Sequence, residues 1–213
     1  MNIAIFGANG RTGSLLTGRA LAAGHTVTAL VRQPKNFPYA GRTRVVEGSV
    51  FDPAAIADTL RHTDAVFSAL GAHSPVKKED VLERAMPLIT AGMERYGPRR
   101  LIALGSAGAL PTSLDKQPAW RRWIVQTIVY NVFLKYPVAS QIDQYRVLSA
   151  SNLDWTMVMP PMLTDGPARG HYRIDADALP RNGARISRSD VADFMMLQLT
   201  NPQWIKKGVY ITW

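Results

Sequence analysis

Three glycines, Gly7, Gly10 and Gly13, follow a short apolar run in NIAIFGANGRTGSLL, residues 2–16. A buried strand that breaks on a glycine-rich turn and resumes as a helix is a dinucleotide-binding arrangement. Gly7 allows the tight turn off the strand, Gly10 leaves room for a pyrophosphate against the backbone, and Gly13 lets the helix pack close to the sheet. The free N–H groups and the dipole at the helix start attract phosphates. Asn9, Arg11 and Thr12 fill the turn and can all bond phosphate oxygens. The interval Gly-x-x-Gly-x-x-Gly has one residue more in its first turn than Gly-x-Gly-x-x-Gly.

The chain beyond this turn predicts an α/β fold, a Rossmann-type doubly wound parallel sheet. TGSLLTGRALAA (12–23) has helical spacing and ends on Gly24, where a C′ glycine belongs. Strands are predicted over 25–32, 44–48, 64–71 and 99–108, alternating with helices over 52–60 and 79–96. Asp52 and Pro53 supply the N-cap and first position of one of these helices. Past residue 110 the alternation loosens. A Pro-rich loop leads to an apolar helix over 119–135, a second helix over 138–151, a strand over 154–161 stopped by two prolines, and a short strand at 171–174. A helix over 187–200 capped by Ser189, with Asp190 in its first turn, and a final strand complete the chain. No linker interrupts it, so residues 1–213 read as one domain, with the substrate side supplied from about residue 110 onward.

In such a sheet the ligand lies at the carboxyl ends of the strands. Those ends are Ser49-Val50, Ala69-Leu70-Gly71, Ser106 and Pro160-Pro161-Met162; the first two should frame the adenine and its ribose, the last two the nicotinamide. At the end of the second strand, where an acidic residue would take the ribose 2′-hydroxyl of NAD, the chain carries Arg32, followed by Lys35. A cation there pairs with a 2′-phosphate, so NADP is expected over NAD.

Composition narrows the partners. The chain has no cysteine, which removes disulfides, thiolate metal sites and cysteine nucleophiles. The four histidines are dispersed, Asp175 and Asp177 read as solvated, and no metal site is expected. The net charge of +9 suits anionic ligands, but the basic residues are scattered, which argues against nucleic acid. WIVQTIVYNVFL (123–134) is too short to span a bilayer and no signal-peptide pattern opens the chain, so no membrane partner and a cytoplasmic location are expected. A monomer or homodimer is expected.

IAIFGANGRTG, VTALVR, Ser106-Ala107, VMPPMLTDGP and ISRSDVADFMMLQLT occur in this order, and together they resemble the atypical short-chain dehydrogenases of the NAD(P)H-binding, NmrA-like kind that include flavin reductase (biliverdin-IXβ reductase). The resemblance runs from residue 2 to about 212 and is weakest over 110–140, where the chain carries extra residues. It implies a Rossmann fold that binds NADP and reduces flavins or related planar acceptors by hydride transfer, with FMN or FAD as possible substrates. It also implies that Gly7, Asn9, Gly10, Arg11, Thr12 and Gly13 form the phosphate turn, that Arg32 meets the 2′-phosphate, that Leu70-Gly71 and Pro160-Pro161 line the cofactor, and that Ser106 lies by the nicotinamide. The chain departs from the pattern at Ser49, where the family has an Asp beside the adenine, and at Met162, where flavin reductase has a histidine.

The Tyr-x-x-x-Lys pair of carbonyl-reducing relatives is absent: Tyr130, Tyr136 and Tyr145 are followed at that spacing by Leu134, Ser140 and Ser149. Hydride transfer to a flavin, quinone or bilin does not need it, because the resulting delocalised anion can be protonated by solvent. Ser106 is the candidate catalytic contact. Trp120, Trp123 and Tyr130 read as packing residues, or as an apolar cap over a planar substrate. The alternative class is an NmrA-like redox sensor that binds NADP without turnover and presents the aromatic helix to a partner.

Overall fold

The computed structural model describes residues 1–71, 80–133 and 135–213. The N-terminal half alternates as expected: β1 (Asn2–Phe6), α1 (Arg11–Ala22), β2 (Thr26–Val31), β3 (Arg44–Glu47), α2 (Pro53–Leu60), β4 (Ala65–Ser68), α3 (Val81–Tyr96) and β5 (Arg100–Leu104). Then come α4 (Ala119–Ile124), a π-helix over Val125–Phe133, α5 (Lys135–Ala150), β6 (Asp154–Met159), β7 (Met162–Thr164), β8 (Arg173–Asp175), β9 (Arg185–Ser187), α6 (Arg188–Leu197) and β10 (Lys207–Thr212).

The main sheet has the order β3-β2-β1-β4-β5-β6-β10-β8, parallel except for the antiparallel edge strand β8. β7 and β9 form a separate parallel ribbon. Successive residues of each strand face opposite sides, so both faces are apolar and both are covered. Ala4, Phe6, Val66, Leu101 and Met157 pack against Ile56 of α2, Met86 and Ile89 of α3 and Leu148 of α5. Ile3, Ile5, Phe67, Ile102 and Val158 pack against Leu16 of α1 and Val191, Phe194 and Met195 of α6. The chain winds outward from β1 to β3, returns to β4 and winds the other way. The switch point therefore lies between β1 and β4, where Ala69 N–H donates to the Phe6 carbonyl (2.9 Å).

Several expected boundaries shift. The predicted strand over 99–108 ends at Leu104, and the chain enters short 3₁₀ turns at Ala107–Ala109 and Pro111–Leu114. The strand over 154–161 ends at Met159, because Pro160 and Pro161 have no N–H to continue the ladder. The short strand at 171–174 is β8, placed two residues later. The helix over 119–135 becomes a short α-helix followed by a π-helix. Val125, Thr127, Ile128 and Val129 make that stretch dense in β-branched side chains, which crowd the ordinary α-turn. The start of the predicted helix over 79–96 lies partly outside the described residues.

The capping serine is Ser187, whose Oγ accepts from Asp190 N–H (2.9 Å), and not Ser189. Ser189 lies inside the helix and its hydroxyl and carbonyl take Arg19 Nη2 of α1 (2.7 and 3.1 Å), while Asp193 pairs with the same guanidinium. Among the described residues, no helix is long and apolar enough to cross a membrane.

Candidate functional site

The strand register lines up the expected cofactor residues along one rim of the sheet. Phe6 is level with Leu30 on one side and Ser68 on the other, and Ser68 is level with Ala103. Running along the strand order, the carboxyl ends carry Ser49 after β3, Arg32 after β2, Gly7 after β1, Ala69-Leu70-Gly71 after β4, Ser106 after β5 and Pro160-Pro161 after β6.

The glycine turn fits a bound dinucleotide. Gly7 has φ +79°, and a Cβ there would meet the Ala69 carbonyl at 2.8 Å, so the turn and β4 touch backbone to backbone. A Cβ on Gly13 would lie 2.0 Å from the Gly7 oxygen, so only glycine lets the first turn of α1 sit on the loop. Gly10 differs: around its Cβ direction only the Gly7 oxygen, at 3.2 Å, lies within 4 Å, leaving open space on the outer side. Gly10 is the N-cap of α1, with no side-chain cap and no acidic residue in the first turn. The helix N-terminus thus points its unsatisfied N–H groups outward, which suits a phosphate. Asn9 and Gly10 are exposed beside it, and Thr12 is buried in the first turn.

Arg11 is held from the far end of the chain. Its Nη1 lies 3.1 Å from Asp165 Oδ2, and Arg188 Nη1 lies 2.8 Å from the other carboxylate oxygen. The hydrogen bond from Arg11, with the charge of Arg188, holds the Asp165 carboxyl below the usual aspartate range. Arg32 is exposed one strand over from the turn. Ser49 takes up a local role as well, its Oγ accepting from Phe51 N–H (3.2 Å).

The loop that carries Asp165 is pinned by Asp190, which is fully buried. Its carboxylate accepts from Arg169 N–H and Gly170 N–H (each 2.9 Å), from the Ser187 hydroxyl (2.8 Å) and from the Trp213 indole (2.9 Å). Arg169 in turn lies 3.5 Å over the Trp213 ring. Burial works against the Asp190 charge, but these donors outweigh it and its carboxyl sits below the ordinary value.

At the other end of the rim, Ser106, Ala107, Pro161 and Met162 form one wall of a cavity of about 530 Å³. Ala107 N–H donates to the Pro160 carbonyl (2.8 Å), which ties the ends of β5 and β6 together at that wall. The remaining walls come from Leu114, Gln117, Leu179, Gly183 and Ala184, and from Arg121, Val125, Val129 and Tyr130 of the α4–π-helix segment. Spacing of four residues puts Arg121, Val125 and Val129 on one helical face. Burial pushes the Tyr130 phenol up, partly offset by its bond to the Ser113 hydroxyl, so it stays protonated at neutral pH.

Sequence reasoning found Ser106, Pro161, Met162 and Tyr130, but not the rest. Gln117 carries no signal in the sequence, and nothing in the order Trp120-Arg121-Arg122-Trp123 sets Arg121 apart from its neighbour. Trp120 and Trp123 are neither core nor cavity: they are 68% and 63% exposed on the outer face of the same segment. Asp175 is not simply solvated, since it pairs with Lys116 (2.5 Å) and accepts from Asp177 N–H (2.9 Å). Among the described residues no cluster of His, Asp or Glu is arranged to hold a metal ion.

Comparison with known proteins agrees with this geometry. A relative in Bacillus subtilis, the uncharacterized protein YwnB, is 26% identical over 95% of this chain and 94% of its own. A short-chain dehydrogenase/reductase from Veillonella parvula solved in complex with NADP superposes with a TM-score of 0.80 at 22% identity, covering 100% of this chain and 94% of that one. ChuY, an anaerobillin reductase from Escherichia coli O157:H7, gives 0.79 at 20% identity, covering 100% and 97%. The model of a family described as NAD(P)H-binding matches residues 7–202, and with the glycine turn built as it is, the chain belongs to that NAD(P)H-binding family.

Proposed function

We propose that the protein is an NADPH-dependent reductase that passes hydride to a flavin, quinone, bilin or similar planar acceptor. The observation that carries this reading is the apolar cavity beginning at Ser106 and Pro161, on the rim that starts at the glycine turn. A nicotinamide ring reaching the ends of β5 and β6 would lie at the mouth of a space the size of a small-molecule site.

The reduced nicotinamide supplies the hydride when bound. Gly7, Gly10 and Gly13 make the turn for its pyrophosphate, with Asn9, Arg11 and Thr12 around it, and Arg32 takes the 2′-phosphate. Ser49, Val50, Ala69, Leu70 and Gly71 border the adenine half. Pro160, Pro161 and Met162 would border the nicotinamide, and Ser106 would offer its hydroxyl to the nicotinamide or the acceptor. The acceptor itself needs apolar walls and orientation more than an acid, which matches a cavity with few polar groups. Membership of an NAD(P)H-binding family and the NADP and reductase chemistry of the structural neighbours support the reading. The exposed Trp120 and Trp123, with Ile124 and Ile128 on the same segment, favour a sensor that binds NADP and a partner; the cavity lined by that segment favours turnover.

The test is NADPH oxidation by the purified protein with FMN and menadione as acceptors, repeated with Ser106→Ala. Steady turnover that falls in the variant supports the reading. Tight NADPH binding without turnover on either acceptor overturns it in favour of the sensor.

A further inference from the structure

Among the described residues that line the cavity, one carries a charge, Arg121, and the others are apolar or neutral. Arg121 is half-buried and held in place. Its Nη1 donates to Gln117 Oε1 (3.2 Å) and its Nη2 to the Gly183 carbonyl (2.7 Å). Gln117 is itself 7% exposed and has no freedom left. Its Nε2 donates to the Leu179 and Pro180 carbonyls (2.8 and 3.0 Å), and its Oε1 also accepts from Asn182 N–H (3.0 Å). The guanidinium is therefore set by a rigid bracket between the 3₁₀ turn region and the 179–183 loop.

No carboxylate of the described residues comes within ion-pair distance of Arg121, whereas its neighbour Arg122 lies 3.9 Å from Asp115. Both of its protein partners are neutral acceptors, and the rest of its donor fork is not used by any protein group among the described residues. A half-buried cation at an apolar cavity, bonded only to neutral acceptors, gains a charge-assisted bond when the ligand brings an anion to it. The planar fork of arginine matches a carboxylate or phosphate. Val125 and Val129, one and two turns further along, continue the same face as apolar surface for the body of that ligand.

The geometry points to Arg121 as the anchor for an anionic group on the acceptor. The substrate class is then a flat apolar ring system carrying a carboxylate or phosphate, its ring toward Ser106 and its anion toward Arg121. The inference rests on the cavity being the acceptor site.

Two matched pairs test it: FMN against riboflavin, and menadione with a propanoate substituent against menadione itself. Each is assayed for NADPH oxidation and for binding to the NADP-saturated protein by titration calorimetry, in the wild type, Arg121→Met and Arg121→Lys. The expected result is a KM and Kd raised by about 10- to 100-fold for the anionic member in Arg121→Met, with the neutral member within about twofold. Arg121→Lys should recover part of the loss. Selectivity confined to the FMN pair assigns a phosphate, and selectivity confined to the quinone pair assigns a carboxylate. Equal losses for both members of a pair, or none, overturn the inference and leave the reductase reading standing. If no acceptor turns over but the anionic compounds bind in an Arg121-dependent way, the anion anchor stands and the reductase reading falls.

Discussion

Gly13 approaches Gly7 so closely that a Cβ on Gly13 would stand 2.0 Å from the Gly7 carbonyl oxygen. The first turn of α1 rests directly on the loop from β1, and this brings the helix N-terminus to the rim of the sheet. Gly13→Ala must push the helix off the loop. The expected outcome is a loss of about 1–3 kcal/mol of stability, read by urea unfolding, together with a weakened NADPH affinity in fluorescence titration. Unchanged affinity and stability would mean that the turn is not under this constraint.

Arg32 follows β2, one strand from the glycine turn. Arg32→Ala should weaken NADPH binding by about 10- to 100-fold and leave NADH binding nearly unchanged. Titration of both nucleotides gives the answer, and equal losses would remove the assignment of Arg32 to a 2′-phosphate.

Asp165 holds Arg11 (3.1 Å) and Arg188 (2.8 Å) while Arg11 stands in the glycine turn. A phosphate bound at that turn competes with Asp165 for the same guanidinium. Asp165→Asn should therefore raise NADPH affinity by a few-fold, a modest gain because the pair is exposed and screened. The gain should shrink with added salt, and Arg11→Gln should abolish it. A weaker affinity in Asp165→Asn would show that the carboxylate positions Arg11 instead of competing for it.

The sheet was legible because its signals are local. Alternation of Ile3 and Ile5 with Ala4 and Phe6 fills both cores, and Asp52 caps α2 from two residues away through Ala54 N–H (2.9 Å). The cavity was not legible because its walls come from separate segments. Gln117 meets Leu179 and Pro180, and Arg121 meets Gly183, only through the folded loop, and Arg11 meets Asp165 across 154 positions. Ser187 and Ser189 are equally good caps on local grounds. Asp190 decides between them, because its carboxylate also takes the Arg169 and Gly170 amides and the Trp213 indole, and that network fixes where the helix starts. The segment from DGP at 165–167 to Gly170 and the SRSD run at 187–190 are thus joined in one structural unit.

That network has a pH signature. The Asp190 carboxyl lies below its unfolded value of about 3.9. A group depressed in this way stabilises the fold above the unfolded value, and the contribution is lost as pH falls through the folded value. Asp190→Asn should lower the stability by about 2–4 kcal/mol at pH 7, through loss of charge-assisted bonds in a buried site. The gap between variant and wild type should be constant from pH 7 to about 5 and should close as the pH falls below about 4. Thermal unfolding across that range checks it, and a gap independent of pH would mean that the carboxylate is not charged in the fold.

If NADPH passes hydride to an acceptor in the cavity behind Ser106, single-turnover mixing of the protein–NADPH complex with FMN reads the step itself, using NADPH deuterated at the transferable C4 position. Nicotinamide absorbance should be lost as the flavin is reduced, deuterium should slow the step, and NADH should be a poorer donor. A stable complex in which NADPH persists alongside FMN and a range of quinones would contradict it.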